Sequence, residues 1–156
     1  MGAPLKARFL TYIIIELILN RGEQMLSHVY TGTNDFETAF GFYGAVMEAL
    51  GTRLRFSDPV KPWAAWMPAE GGRPLFIIGK PYDGQPAGCG NGQMIALMAP
   101  SREAVDRAHA AALANGGRCE GPPGLRPQYH DNYYGAYFRD PEGNKLGVVC
   151  HDAVGL

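Results

Sequence analysis

From residue 27 onward, apolar residues recur with a period of two in some segments and of three to four in others. Residues 27–33 (SHVYTGT) alternate and carry β-branched and aromatic side chains, so they predict a strand. Asn34 or Asp35 can cap a helix in the next segment, where apolar residues recur every three or four positions. This stripe consists of Phe36, Ala39, Phe40, Tyr43, Val46, Met47 and Leu50, and Gly51 is placed to end the helix.

Three strands and a linker are predicted after this helix. Short segments at residues 53–57, 63–67 and 75–79 predict the strands, because turns containing Asp, Gly and Pro separate them. Residues 80–92 are dense in Gly and Pro and predict a linker. Residues 93–99 then predict a strand, so the order of elements begins again.

The second half of the chain repeats the order of the first. Ser101 can cap a helix with the apolar stripe Ala104, Val105, Ala108, Ala111, Ala112 and Leu113, and we expect His109 at its solvated edge. Residues 118–120 predict a short strand and residues 121–132 a long loop. Residues 133–139 and 145–151 predict two more strands, joined by a hairpin turn at residues 140–144 (DPEGN) with glycine where a positive φ is needed. The sequence therefore predicts an α+β fold of two tandem βαβββ modules, about residues 25–79 and 93–152.

The N-terminal segment does not belong to this pattern, which begins at Met25. Residues 9–19 (FLTYIIIELIL) are only 11 residues long and include Glu16, whereas a membrane-spanning helix needs about 20 apolar residues. Residues 20–23 (NRGE) do not resemble a secretory cleavage site. We therefore expect a cytoplasmic protein without a membrane anchor. Residues 1–24 are either a genuine arm, forming a short helix or an added strand, or an extension from a misassigned start codon.

Composition narrows the class of partner. At 156 residues the chain suits one compact domain. The 14 Lys and Arg nearly balance the 15 Asp and Glu and form no basic stripe, so we expect no nucleic-acid partner. The three cysteines, Cys89, Cys119 and Cys150, are widely spaced, which favours free thiols in a reducing compartment, with Cys150 buried.

Several segments together resemble one known family. They are residues 26–29 (LSHV), Phe42 and Tyr43 in the first helix, residues 99–106 (APSREAVD) at the start of the second, and residues 137–146 (YFRDPEGNKL) at the last hairpin. With the two modules, they resemble the vicinal-oxygen-chelate superfamily, which includes glyoxalase I, extradiol dioxygenases, fosfomycin-resistance transferases and bleomycin-binding proteins. The resemblance covers about residues 25–152 and implies a cupped mixed sheet with the helices outside. It does not imply one reaction, because the fold carries many.

The resemblance also implies where a metal would be bound. In metal-dependent members, the first and last strands of each module supply ligands, commonly His and Glu. His28 matches the first position, but the others fall on Met94, on Gly147 and on residues 75–78 (LFII), which have no suitable donor. Since a mononuclear site normally needs three protein ligands, we expect no metal cofactor.

Residues 126–134 (RPQYHDNYY) are the richest polar and aromatic stretch. Tyrosines offer rigid apolar faces with a hydroxyl, and a histidine exchanges protons near neutral pH. We therefore expect His28, His130 and Tyr129 as candidate catalytic residues. The candidate ligand-binding residues are Tyr30, Trp63, Trp66, Arg126, Tyr133 and Tyr134.

Three functions remain open at this point. The first is a small-molecule-binding protein of the bleomycin-resistance type, or a metal-independent enzyme using His28, His130 and the tyrosines. The second is a divergent metal-dependent lyase of the lactoylglutathione-lyase type, or a dioxygenase, with His130, Glu142 or His151 completing a shifted site. The third is a structural dimer without a ligand. Exposed strand edges and the apolar N-terminal run predict a homodimer in each case.

Overall fold

The computed structural model describes residues 25–153. The expectations for residues 1–24 lie outside this range. Within it, no helix combines the length and apolar character needed to cross a bilayer.

The first module consists of five elements. They are β1 (His28–Gly32), α1 (Phe36–Ala49), β2 (Arg53–Asp58), β3 (Trp63–Met67) and β4 (Leu75–Gly79). The strands form a mixed sheet in the order β1-β4-β3-β2, with β1 parallel to β4 and the other pairs antiparallel. Asp35 caps α1, because its carboxylate accepts a hydrogen bond from the backbone N–H of Thr38 at 3.1 Å.

The second module repeats this architecture. Its elements are β5 (Ile95–Met98), α2 (Arg102–Ala114), β6 (Arg118–Leu125), β7 (Tyr134–Arg139) and β8 (Lys145–Cys150). The sheet order is β5-β8-β7-β6, again with one parallel pair, β5 and β8. Ser101 caps α2 as predicted. The prediction of two βαβββ modules in an α+β fold is thus confirmed.

One core joins the two modules. Helix α1 packs on the first sheet, α2 on the second, and the helices contact each other. Within this core the rings of Phe42 in α1 and Phe138 in β7 lie 6.0 Å apart. Gly117, between α2 and β6, permits this approach, because a Cβ there would lie 2.8 Å from the Phe42 ring and 2.7 Å from the Ala112 carbonyl oxygen.

The turn between β7 and β8 ties the second module to α1. Gly143 has φ +97° and donates to the Asp140 carbonyl at 3.0 Å, as the turn prediction requires. The buried Asp140 carboxylate accepts a 2.8 Å hydrogen bond from the Tyr43 hydroxyl of α1. Glu142 accepts from the backbone N–H groups of Asn34 and Asp35 at 2.6 and 3.1 Å, and from the Thr33 hydroxyl. A hairpin of one module therefore holds the helix start of the other.

Two details differ from the sequence prediction. Strand β6 continues to Leu125, although residues 121–125 (GPPGL) were expected to be loop. Register shifts between Cys119 and Gly124 accommodate the two prolines, which are tolerated at bulges of an edge strand. His109 was expected at the solvated edge of the helix, but its side chain is only 8% exposed. It lies on the face of α2 that packs against the ring of Phe138.

Candidate functional site

Each sheet has one face towards the helices and one face away from them, which we call the inner face. In β1, Val29 and Thr31 point to the core, so His28 and Tyr30 lie on the inner face. In β8, Leu146, Val148 and Cys150 belong to the core, which places Gly147 on the inner face. This alternation fixes which predicted residues can share a ligand.

Tyr30 and Trp63 form an aromatic wall on the inner face of the first module. Trp63 is 38% exposed and its ring lies 4.5 Å from that of Phe56. Tyr30 donates to the Lys80 carbonyl oxygen at 2.7 Å, and burial raises the pKa of its hydroxyl. A side chain at Gly79 would collide with this hydroxyl and with Trp63, so the glycine makes room for both aromatic residues.

Two cavities border this wall. The larger, about 640 Å³, lies between Tyr30, Trp63 and the linker segment 80–88. The smaller, about 210 Å³, has residues of the edge strands β1 and β5 in its lining, which includes Tyr30, Met94 and Lys145. Because Tyr30 borders both cavities, they are neighbouring parts of one inner surface.

Three tyrosines line the inner face of the second module. The rings of Tyr129 and Tyr133 lie 4.8 Å apart, and the Tyr137 hydroxyl donates to the Tyr133 hydroxyl at 3.3 Å. Burial, followed by this hydrogen bond, raises the pKa of Tyr137, and a hydrogen bond with Tyr129 partly opposes the effect. Glycines provide the space, since a Cβ at Gly147 would lie 3.3 Å from the Tyr137 ring and one at Gly135 would lie 3.0 Å from the Tyr133 ring.

A pair of histidines adjoins the tyrosines. His130 Nε2 lies 2.8 Å from His151 Nδ1, and both rings contact Tyr133, with centroids 5.5 and 5.2 Å away. The backbone N–H of Asn132 donates to His130 Nδ1 at 3.2 Å, so that nitrogen carries no proton. With Nδ1 accepting, Nε2 of His130 is the nitrogen that donates to His151 Nδ1, and the two rings form an oriented hydrogen-bonded pair.

Cationic side chains surround Tyr137. The Arg126 guanidinium lies 5.7 Å and the Lys145 ammonium 5.9 Å from the centre of its ring. Glu120 accepts from Arg139 at 2.7 Å and lies 3.8 Å from Lys145; the bond from Arg139 is the main reason its pKa is lowered. Glu120 thus pairs with Arg139 and Lys145. With Arg126 beside Tyr137, the cations outnumber this carboxylate, so this part of the inner face is positive.

Two predicted ligand-binding residues face away from the inner surface. Trp66 is 4% exposed and packs in the core against Phe40 of α1, with ring centroids 5.7 Å apart. It lies three residues after Trp63, and an odd spacing in a strand reverses the face. Tyr134 donates to Asp106 of α2 at 2.9 Å, on the helix side of β7. The structure therefore places neither Trp66 nor Tyr134 on the inner face, where Trp63 and Tyr133 lie.

The positions implied for a metal do not provide a donor set. His28 is exposed, with its Nδ1 3.2 Å from Ser27 Oγ. Met94 is 45% exposed beside the smaller cavity, and the space above Gly147 is taken by the Tyr137 ring. Glu142 is engaged at the start of α1 and cannot complete a shifted site. Across residues 25–153, no three side chains of His, Cys, Asp or Glu are grouped as metal ligands would be.

Comparison with known proteins identifies the family. The sequence profile of the Glyoxalase/Bleomycin resistance protein/Dioxygenase superfamily matches residues 25–148. A solved glyoxalase/bleomycin resistance protein from Albidiferax ferrireducens T118 is 40% identical, with 81% of this chain and 99% of that chain covered and a TM-score of 0.73. The chain belongs to the glyoxalase/bleomycin resistance protein/dioxygenase superfamily.

More distant solved structures share the fold alone. A glyoxalase-related enzyme from Fulvimarina pelagi is 19% identical, covering 81% of this chain and 88% of that one, with a TM-score of 0.61. TioX from Micromonospora sp. ML1 is 18% identical, covering 83% of this chain and 100% of that one, with a TM-score of 0.54. No curated protein matches the chain.

Sequence reasoning missed part of the inner surface. Tyr137 was not among the predicted ligand-binding residues, although the alternation of Tyr133, Gly135 and Tyr137 places all three on one face and leaves space beside the rings. That pattern could have identified it. Lys80, Tyr82 and the rest of the linker gave no such signal, because their position beside Tyr30 depends on the tertiary fold.

Proposed function

We propose that this protein binds a small molecule on its inner face without the metal used by metal-dependent members of its family. The observation that carries the proposal is the Tyr137 ring above Gly147, where such members place a metal ligand. Met94 at a second position is a thioether, a soft and weak donor for Ni, Zn, Mn or Fe ions. An aromatic surface thus replaces the coordination site.

The ligand that suits this surface is planar and anionic. Tyr30 and Trp63 offer exposed aromatic faces beside the larger cavity, which has the size typical of small-molecule sites. Around Tyr137, the cations of Arg126 and Lys145 and the phenol hydroxyls favour a carboxylate or another anion. An aromatic carboxylate would use both halves of the surface at once.

A thermal-shift screen tests this proposal. The panel contains aromatic carboxylates, the matching neutral amides and matching cationic amines, and we expect the carboxylates to raise the melting temperature most. Each hit is then titrated by calorimetry into Tyr133→Phe and Tyr134→Phe variants. These are adjacent residues on opposite faces, so only Tyr133→Phe should weaken binding, by about fivefold or more for one lost hydrogen bond. Equal effects of the two variants, or no preference for carboxylates, would contradict the proposal.

A second candidate function is metal-independent proton transfer. The His130–His151 hydrogen bond favours it, because an oriented imidazole pair can accept a proton at one ring and release one at the other. Ligands from the screen, incubated with the protein in D2O, would then exchange a C–H proton. We expect His151→Gln to abolish exchange while binding persists. Exchange that survives in His151→Gln and in His130→Gln would exclude this function.

We also propose that the protein is a cytoplasmic homodimer. Support comes from β2 and β6, the outer edge strands of the two sheets, whose backbone groups an association could cover. Leu54 in β2 is 49% exposed and adds apolar surface at one edge. Light scattering at micromolar concentration should give twice the chain mass of 16.9 kDa. A monomeric mass would refute the proposed homodimer.

A further inference from the structure

A thiol and an imidazole meet on the outer side of the second module, away from the inner face. Cys119 in β6 is exposed and pairs in register with Phe138, whose ring belongs to the core. Its Sγ lies 3.2 Å from Nε2 of His109 in α2. His109 is 8% exposed and is aimed at the sulfur from the core side. The ligand site proposed above uses neither residue.

The surroundings of His109 keep its imidazole neutral near pH 7. Burial lowers its pKa, and the nearby Asp106 carboxylate opposes this effect only in part. A neutral imidazole within hydrogen-bond distance of a thiol can accept the thiol proton while the sulfur attacks an electrophile, which is general-base assistance of a nucleophile. The arrangement is therefore suited to activate an accessible cysteine.

We propose that Cys119 and His109 form a covalent modification site, at which small soft electrophiles react with the Cys119 sulfur. With iodoacetamide as the electrophile, the sulfur attacks the methylene carbon and a C–S bond forms. The C–I bond breaks and iodide leaves with the bonding pair. The thiol proton passes to His109 Nε2, and from there to solvent.

The other two cysteines provide internal comparisons. Cys150 is 1% exposed in the core and should not react while the protein is folded. Cys89 is exposed on the linker and has no imidazole beside it in the hydrogen bonds of residues 25–153. The informative quantity is therefore the change in the Cys119 rate when His109 is replaced, with Cys89 as the reference in the same molecule.

The test is alkylation of the full chain by iodoacetamide at pH 7, followed by peptide mass spectrometry at each cysteine. In His109→Gln we expect the Cys119 rate to fall by about tenfold or more, a modest share of what a general base supplies. The Cys89 rate should stay within about twofold. An unchanged Cys119 rate, or an equal fall at both cysteines, would overturn the proposal.

A measurement on the unsubstituted protein covers the case in which His109→Gln does not fold, as judged by circular dichroism. At pH 7, Cys119 should be alkylated faster than N-acetylcysteine amide under the same conditions, because the model thiol has no base beside it. A Cys119 rate equal to or below that of the model thiol would overturn the proposal. The ligand screen does not involve Cys119, so the alkylation test can fail or succeed independently of the proposed ligand binding.

Discussion

Removing the Tyr43 hydroxyl should weaken the connection between the two modules. Tyr43 is 1% exposed in α1, and its hydroxyl donates to Asp140 in the turn of the other module at 2.8 Å. The same carboxylate accepts three further hydrogen bonds, from the backbone N–H groups of Glu142 and Asn144 and from the Asn144 amide. Tyr43→Phe therefore leaves a buried carboxylate with one donor fewer and keeps the ring in place.

The expected cost follows from the charge and burial of the acceptor. A hydrogen bond to a charged group contributes about 1.5–3 kcal/mol, and a buried acceptor that loses its donor keeps its desolvation cost. We therefore expect Tyr43→Phe to lower the free energy of unfolding by about 1.5–3 kcal/mol. Urea unfolding followed by tryptophan fluorescence would measure this value, with an unchanged m-value as evidence that compactness is unaffected.

A matched control separates this bond from a general effect of the substitution. Tyr134 also donates to a carboxylate, Asp106, at 2.9 Å, but that bond is exposed to water. Tyr134→Phe should therefore cost below about 1 kcal/mol, because water replaces the lost partner. Equal costs in Tyr43→Phe and Tyr134→Phe, or a cost in Tyr43→Phe below about 0.5 kcal/mol, would refute the reasoning.

Three further predictions concern pH, Gly147 and the N-terminal segment. Burial and Asp140 raise the pKa of Tyr43 above its unfolded value, so its contribution to stability is complete below about pH 10 and is lost above it. When the free energy of unfolding is measured against pH, Tyr43→Phe should lose less stability in the alkaline range than the unsubstituted protein. An unchanged slope of this free energy against pH would contradict the prediction. Gly147→Ala should lower the free energy of unfolding by about 1–3 kcal/mol, because the new Cβ meets the Tyr137 ring. Gly41→Ala, in open space on α1, should be neutral or stabilising. Equal urea midpoints for the two variants would contradict the packing of Tyr137 against Gly147. Deletion of residues 1–24 should leave ligand binding unchanged and at most weaken dimer association, and loss of folding on deletion would show that this segment belongs to the core.

The order of elements could be predicted from the sequence because local signals and periodicity agreed. The α1 stripe, the Ser101 cap and the glycine of the last turn each act within a few residues, and all three lie where they were expected. Strand β6 was cut short because prolines usually end strands, whereas bulges accommodate them here. The solvated position predicted for His109 is wrong because it followed from the polarity of the side chain. Its spacing, four residues after Val105 and three before Ala112, places it on the buried stripe of α2.

The candidate site could be predicted only in part. Tyr133 and His130 were found from the density of polar aromatic residues. Trp63 and Trp66 were grouped together, although their odd spacing within β3 places them on opposite faces. The partnership of His130 with His151 joins residues 21 positions apart and requires the tertiary fold. The same holds for Lys145 beside Tyr137, which contact across the β7–β8 pair.

The most direct test of the proposed function is a calorimetric titration of divalent metal ions into untagged protein. Nickel, zinc, manganese and iron(II) are each added at neutral pH, with a His28→Ala variant in parallel, since His28 is the residue that matches a ligand position implied by the family resemblance. We expect no stoichiometric binding tighter than about micromolar, because within residues 25–153 fewer than three suitable donors converge. One tightly bound ion per chain, lost in His28→Ala, would contradict it.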